Sequence, residues 1–199
     1  MAEPFKIEIY RKKDCGDFTK ALADPETRLE TGGAAAMTAA SAAALMARAA
    51  ALTIQEKGDS ERLDYIQRNA EILRSYMVHL IDEDVKCRGP LRRAISEGDP
   101  SKIEAAAQTA VSICEEIINM MGKQLELMVE LKELCLPEAA HYLRSAAELS
   151  MAATRACVPF VLNLSQKDSD ETYRYISRRE NEMTLAQFQP LYEKLTAEE

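Results

Sequence analysis

The sequence predicts an all-α fold, a bundle of long antiparallel helices around an alanine-rich central one. Three observations lead there. Between Ser60 and Cys87 the apolar residues Leu63, Ile66, Ala70, Leu73, Met77 and Leu80 recur at spacings of three and four, the period of one helix face. The seven glycines and seven prolines fall mostly between periodic segments, where they punctuate. The stretch "LETGGAAAMTAASAAALMARAAALT", Leu29 to Thr53, is almost wholly small residues, with Arg48 its only charge beyond Glu30. Small side chains let helix axes approach to the low end of the usual 8–10 Å, and a solvated spacer would carry Glu, Lys and Gln. A buried central helix is the expectation, whether or not a ligand also approaches it.

The elements follow in order. "FKIEIY" reads as a short strand or an extended arm, and "GDFTKALAD" as a short helix stopping before Pro25. The alanine helix starts at Gly32-Gly33 and runs to about Lys57, ended by Gly58. Ser60 or Asp59 caps the next, predicted to about Cys87 ahead of Gly89-Pro90, with "LRRAISE" as a brief separate helix. Asp99 as N-cap, Pro100 at the first position and Glu104 nearby start a helix reaching about Leu134. Pro137 opens another, ending near Leu164. Asp168 and Glu171 form a capping-box pattern before a last helix to about Lys194. The loops are short, so neighbours are antiparallel. Residues 1–199 read as one helical domain, residues 1–30 being an N-terminal arm and short helix.

Composition narrows the function. A net charge of −8 argues against nucleic acid, which needs clustered positive charge. Five scattered cysteines, odd in number and never in a C-x-x-C pair, fit a reducing compartment. No signal-peptide pattern opens the chain, and the alanine run is uncharged only from Thr31 to Ala47, so it reads as too short and too polar to span a bilayer. The expectation is a cytoplasmic protein without membrane partners.

One acid stands out. Advancing 100° per residue, Asp84 lies within about 20° of the centre of the Leu63–Leu80 stripe, whereas Asp82 lands well away from it. An isolated carboxylate is rarely buried without a partner. Held there, its carboxyl keeps a proton toward neutral pH, which suits a general acid. The alternative is that the stripe ends at Leu80 and Asp84 faces water, or Arg88 one turn on. Gly32 and Gly33 present free backbone N–H groups at a helix start, or simply permit the turn into it. The basic cluster Lys86, Arg88, Arg92 and Arg93 is either an anion-binding surface or a solvated one. Glu138 and His141 have the E-x-x-H spacing of carboxylate-bridged metal bundles, but no second motif accompanies them, and no metal is expected. The methionines of "INMMGKQLELMVEL" read as core or interface filler.

"DFTKALADPETRLETGGAAAMTAA", "HLIDEDVKC" and "FVLNL", in this order and spacing, resemble the cyclodeaminase/cyclohydrolase family of folate enzymes, from about Asp17 to the last helix. The resemblance implies a helical bundle that forms a homodimer, with sites for a tetrahydrofolate derivative near the subunit boundary. Members close a formimino group onto tetrahydrofolate with loss of ammonia, or hydrate the methenyl bridge. The family's proton donor is the second Asp of a Leu-hydrophobic-Asp-x-Asp motif, which falls on Asp84. By the same resemblance Gly32, Gly33, Asp82, His141 and Asn163 are the substrate-binding candidates. The chain also departs from the pattern. Pro-Gly-Gly-Gly-Ser is here Glu30-Thr31-Gly32-Gly33-Ala34, a Gly-Asn falls near Leu134-Cys135, a Ser-Asp falls on Ala140-His141, and an asparagine has become Pro159. The resemblance therefore admits two readings: a folate enzyme with an Asp general acid, or a catalytically degenerate or re-purposed helical dimer binding another small molecule or a protein.

Overall fold

The computed structural model describes residues 8–58 and 60–197. Six α-helices fill it: α1 Cys15–Ala23, α2 Thr31–Lys57, α3 Glu61–Glu97, α4 Pro100–Leu134, α5 Ala140–Ser165 and α6 Glu171–Thr196. Single 3-10 turns cover Tyr10–Lys12 and Pro137–Ala139. Of the arm "FKIEIY", residues 5–7 lie outside the described residues, and Tyr10 opens the first 3-10 turn. Asp59 also lies outside them; Ser60 is the cap of α3, its hydroxyl accepting from the Leu63 N–H.

Long-range pairs fix the antiparallel packing. Arg62 at the start of α3 reaches Glu130 near the end of α4, and Tyr76 meets Glu116 halfway along. Tyr192 of α6 meets Glu148 of α5, and Arg144 donates to the Thr196 carbonyl. The alanine helix is central. It packs against α3, α4 and α5, with Ala36, Ala39, Ala42, Ala43, Ala49 and Ala50 fully buried. An 18-residue window of α2 has a mean hydropathy of 1.4, so by length and composition alone this helix could cross a bilayer, contrary to the sequence estimate. Its apolarity is instead spent on three neighbouring helices. Met121, Met128 and Leu131 of α4 complete one continuous core, and Gly122 lets the Phe188 ring of α6 come so close that a Cβ would sit 2.6 Å from it.

Two expectations need correction. The helix predicted to stop near Cys87 and the brief helix after it are one element, α3, 37 residues long with Pro90 inside it. Pro90 has no N–H to give the Lys86 carbonyl, so one rung of the ladder is missing. Packing outweighs the loss, since Leu91 and Ala94 beyond the proline continue the buried stripe. The cap of α6 is Asp170, which accepts from the Thr172 N–H. Asp168 instead ties the preceding loop, accepting from Gln108 Nε2 at 2.6 Å and from the Asp170 N–H at 2.9 Å.

Candidate functional site

The stripe on α3 does not end at Leu80. It continues through Asp84, Arg88, Leu91 and Ala94, all buried. Asp84 has no exposed surface. Its Oδ2 accepts the backbone N–H of Gly33 at 3.1 Å and its Oδ1 accepts Arg88 Nη2 at 2.8 Å. Both sequence-level alternatives are thus half realised: the carboxyl is in the core, and its partner is the arginine one turn on.

Gly32 explains how a carboxyl fits there. A Cβ at this position would fall on the Asp84 carboxyl, 2.5 Å from Cγ and 2.9 Å from Oδ2. Only glycine lets the first turn of α2 close over that side chain. The Gly33 N–H of this turn then has an acceptor, and the helix N-terminus meets a carboxyl group, as its dipole favours.

Burial pushes the Asp84 carboxyl above its ordinary value. The Arg88 guanidinium and the Gly33 N–H oppose that rise, and the nearby Glu30 charge adds to it. Desolvation leads because the group is sealed from water on all sides.

Arg88 is the hub. It is 2% exposed and stacks its guanidinium 3.9 Å from the centre of the Phe160 ring. Its Nη1 also reaches Glu30 Oε2 at 3.4 Å, while Glu30 Oε1 accepts Arg92 Nη2 at 2.7 Å. An ion chain Asp84–Arg88–Glu30–Arg92 therefore runs from the core to the surface. Its outer half borders a cleft of about 730 Å³. One wall is Thr31, Ala34, Ala35 and Thr38 of α2, and a second is Ala152, Ala153 and Ala156 of α5. The linker from Asp24 to Glu30 and Arg92 form the rim. The volume suits a small organic ligand, and the alanine walls leave room for a flat ring.

The predicted residues divide by place. Gly32 and Gly33 do not line the cleft; Gly32 makes room for Asp84 and Gly33 gives it an N–H, while Thr31 and Ala34 of the same turn line the cleft. Ala34 lines the cleft and offers it no hydroxyl. Asp82 is buried on another side of α3. It accepts the Tyr10 and Arg11 N–H groups at 2.8 and 3.2 Å and pairs with Arg11 Nε at 3.1 Å, anchoring the N-terminal turn. Asn163 is exposed, seven residues beyond Ala156 and so on the same side of α5 as the cleft wall. His141 is not brought to the site. It lies beside Leu52 and Glu56, about 30 Å along α2 from Gly32, with its Nδ1 2.8 Å from the Glu138 carbonyl oxygen. Among the described residues no group of three His, Cys, Asp or Glu side chains could share a metal ion.

The basic cluster is split: Lys86 pairs with Glu83, Arg88 is internal, and only Arg92 reaches the cleft. Sequence reasoning missed Glu30. Its signal was a carboxylate immediately before a helix start that is poor in other caps; its side chain makes no capping bond.

Bundle, cleft and buried ion pair together define a helical domain with a small-molecule-sized site at one end of its central helix. The family profile described as formiminotransferase-cyclodeaminase matches residues 14–182, and the chain belongs to that family. The crystal structure of formiminotetrahydrofolate cyclodeaminase from Thermotoga maritima superposes with a TM-score of 0.86, covering 92% of this chain and 94% of that one at 22% identity, which shows a shared fold. No curated protein matches the chain in sequence.

Proposed function

We propose that the protein is a cytoplasmic enzyme of one-carbon folate metabolism that acts on a tetrahydrofolate derivative, with Asp84 as the proton donor. The observation that carries this is the Asp84 carboxyl, fully buried beneath a glycine made to admit it and held above its usual affinity for a proton. In the deaminating reaction N10 of the folate adds to the formimino carbon, the N10 proton passes to the outer nitrogen, and Asp84 supplies the second proton with which that nitrogen leaves as ammonia as its bond to carbon breaks. In the hydrating reaction it moves the proton as water adds to the methenyl carbon. The ring of the substrate lies along the alanine walls of the cleft. Because Asp84 is behind Glu30 and Arg88 rather than in the cleft wall, the substrate reaches it when the 3.4 Å contact of Glu30 and the 2.8 Å bond of Arg88 to Asp84 both give way.

A homodimer belongs to this reading. Tyr65, Ile72 and Tyr76 are exposed at spacings of seven and four, one outward apolar face of α3 suited to a second copy.

One observation favours the degenerate alternative: the Arg88 pair gives Asp84 a structural role that needs no substrate. Turnover decides. Ammonia release from formiminotetrahydrofolate, or accelerated loss of methenyltetrahydrofolate absorbance, is expected with the native protein and absent with Asp84→Asn. Native protein that accelerates neither reaction, and whose melting temperature is unmoved by saturating folate, overturns the enzyme reading.

A further inference from the structure

The polar side chains lining the cleft are Asp24, Thr27, Glu30, Thr31, Thr38 and Arg92. All but Thr31 hold partners within the protein. Asp24 accepts the Glu26 N–H at 2.9 Å, and Glu30 accepts from Arg92 at 2.7 Å. A hydroxyl has one proton to give. Thr27 gives its proton to the Ala21 carbonyl at 2.7 Å, and Thr38 gives its own to the Ala34 carbonyl at 2.9 Å. Thr31 is exposed, and among the described residues its hydroxyl bonds nothing.

Its place in the helix explains why. Thr31 is the first residue of α2, so no helical carbonyl lies four residues back to take its proton, as one does for Thr38. The next residue, Gly32, is the one that lies on the Asp84 carboxyl, where a Cβ would come within 2.5 Å of Cγ. Thr31 therefore marks the end of the cleft nearest the buried acid. The walls beside it, Ala34 and Ala35 of α2 and Ala152, Ala153 and Ala156 of α5, meet a flat ring without bonding its edge. A ring lying there is oriented by the hydroxyl proton left unspent.

The bicyclic ring of a tetrahydrofolate derivative carries a carbonyl oxygen beside N5, the nitrogen that bears the formimino group and one end of the methenyl bridge. We propose that Thr31 is a substrate-binding residue: its hydroxyl donates to that ring oxygen and so turns the one-carbon unit toward the Asp84 end of the cleft. The inference rests on the folate reading for the identity of the ring.

The test titrates the full chain calorimetrically with 5-formyltetrahydrofolate, whose formyl oxygen replaces the formimino nitrogen and so releases no ammonia. Thr31→Val keeps the branched shape without the hydroxyl and should weaken binding about tenfold. Thr31→Ser keeps the hydroxyl and should bind within about twofold of the native protein. Thr38→Val removes a hydroxyl whose proton is already spent, so its loss should be the smaller. Because the Thr31 hydroxyl bonds nothing in the protein, Thr31→Val should melt with the native protein when no ligand is present. The 4-deoxy analogue of the probe, which lacks the ring oxygen, should bind native and Thr31→Val protein alike, since both losses remove one bond. Where turnover is present, kcat should fall in Thr31→Val and return in Thr31→Ser, because a loosely placed one-carbon unit reacts more slowly. Native binding that Thr31→Val leaves unchanged, or a loss that Thr31→Ser does not restore, overturns the inference and leaves the folate reading standing. Hydroxyl-dependent binding without turnover supports the inference and sinks the enzyme reading. A native protein that does not bind the probe overturns both.

Discussion

Replacing Gly32 by alanine tests the packing of the site most sharply. The added methyl would sit 2.5 Å from Asp84 Cγ and 2.9 Å from Oδ2, where ordinary contact needs about 3.5 Å. Either the carboxyl or the first turn of α2 must move by roughly 1 Å. Neither is free to, because Asp84 is fully buried and tied to Gly33 N–H and Arg88. Overpacking of this kind costs about 1–3 kcal/mol, and alanine's better helix propensity returns a few tenths in a first turn. For a chain of this length each kcal/mol is about 2–4 °C, so the melting temperature should fall by roughly 2–10 °C. Gly33→Ala is the control. Its Cβ overlaps the end of the Leu29 side chain at 2.5 Å, a group that can rotate, and meets Ile81 at an ordinary 3.8 Å, so its loss should be the smaller. Equal losses from the two variants, or a Gly32→Ala protein as stable as the native one, would refute the claim that Gly32 exists to admit the carboxyl.

Other outcomes follow from the same coordinates. Asp84 binds its proton more tightly folded than unfolded, so its contribution to stability is full below about pH 4 and is lost as pH rises through the raised folded value. Urea unfolding between pH 4 and 8 should show the advantage of the native protein over Asp84→Asn shrinking with pH; an advantage that grows would mean the Arg88 pair outweighs burial. In thiol titration of the native protein, exposed Cys15 should react first, and Cys114 and Cys157 only on unfolding, because both are fully buried and the hydrogen bond with Cys157, then burial, push the Cys114 thiol up. Early modification of Cys114 or Cys157 would contradict the core described above. Ile72→Glu places a charge on the exposed apolar face of α3 that we propose as a homodimer seam; it should leave the fold intact and lower the light-scattering mass from that of the proposed dimer to that of a monomer, and a native protein that is itself monomeric contradicts the seam.

The helices were legible in the sequence because their ends are local chemistry. Asp99-Pro100, Ser60 and Gly58 declare themselves without tertiary information. Pro90 misled because a proline's local cost was set against a long-range gain invisible in sequence, the burial of Leu91 and Ala94 beyond it. Asp168 misled because three acids crowd the start of α6, and which one caps depends on Gln108, sixty residues away. At the site, Asp84 could be found since a carboxyl on an apolar stripe breaks a period. Gly32 and Gly33 were found, but as ligand contacts; that they face α3 follows from which side of α2 the cleft occupies, a matter of how α5 and the linker pack. Of the four-membered ion chain only the Asp84–Arg88 pair was legible, one turn apart on one helix; its outer half escaped, because Glu30 and Arg92 are sixty-two residues apart.

The most direct measurement is the pH dependence of kcat/KM on a tetrahydrofolate derivative, in the native protein and in Asp84→Asn. If the sealed carboxyl must be protonated to act, the rate holds on the acid side and falls as pH rises through a value above the ordinary carboxylate range, and the Asn variant shows neither the rate nor the limb. A rate that climbs with pH across that range, or an Asn variant as fast as the native protein, would contradict the account.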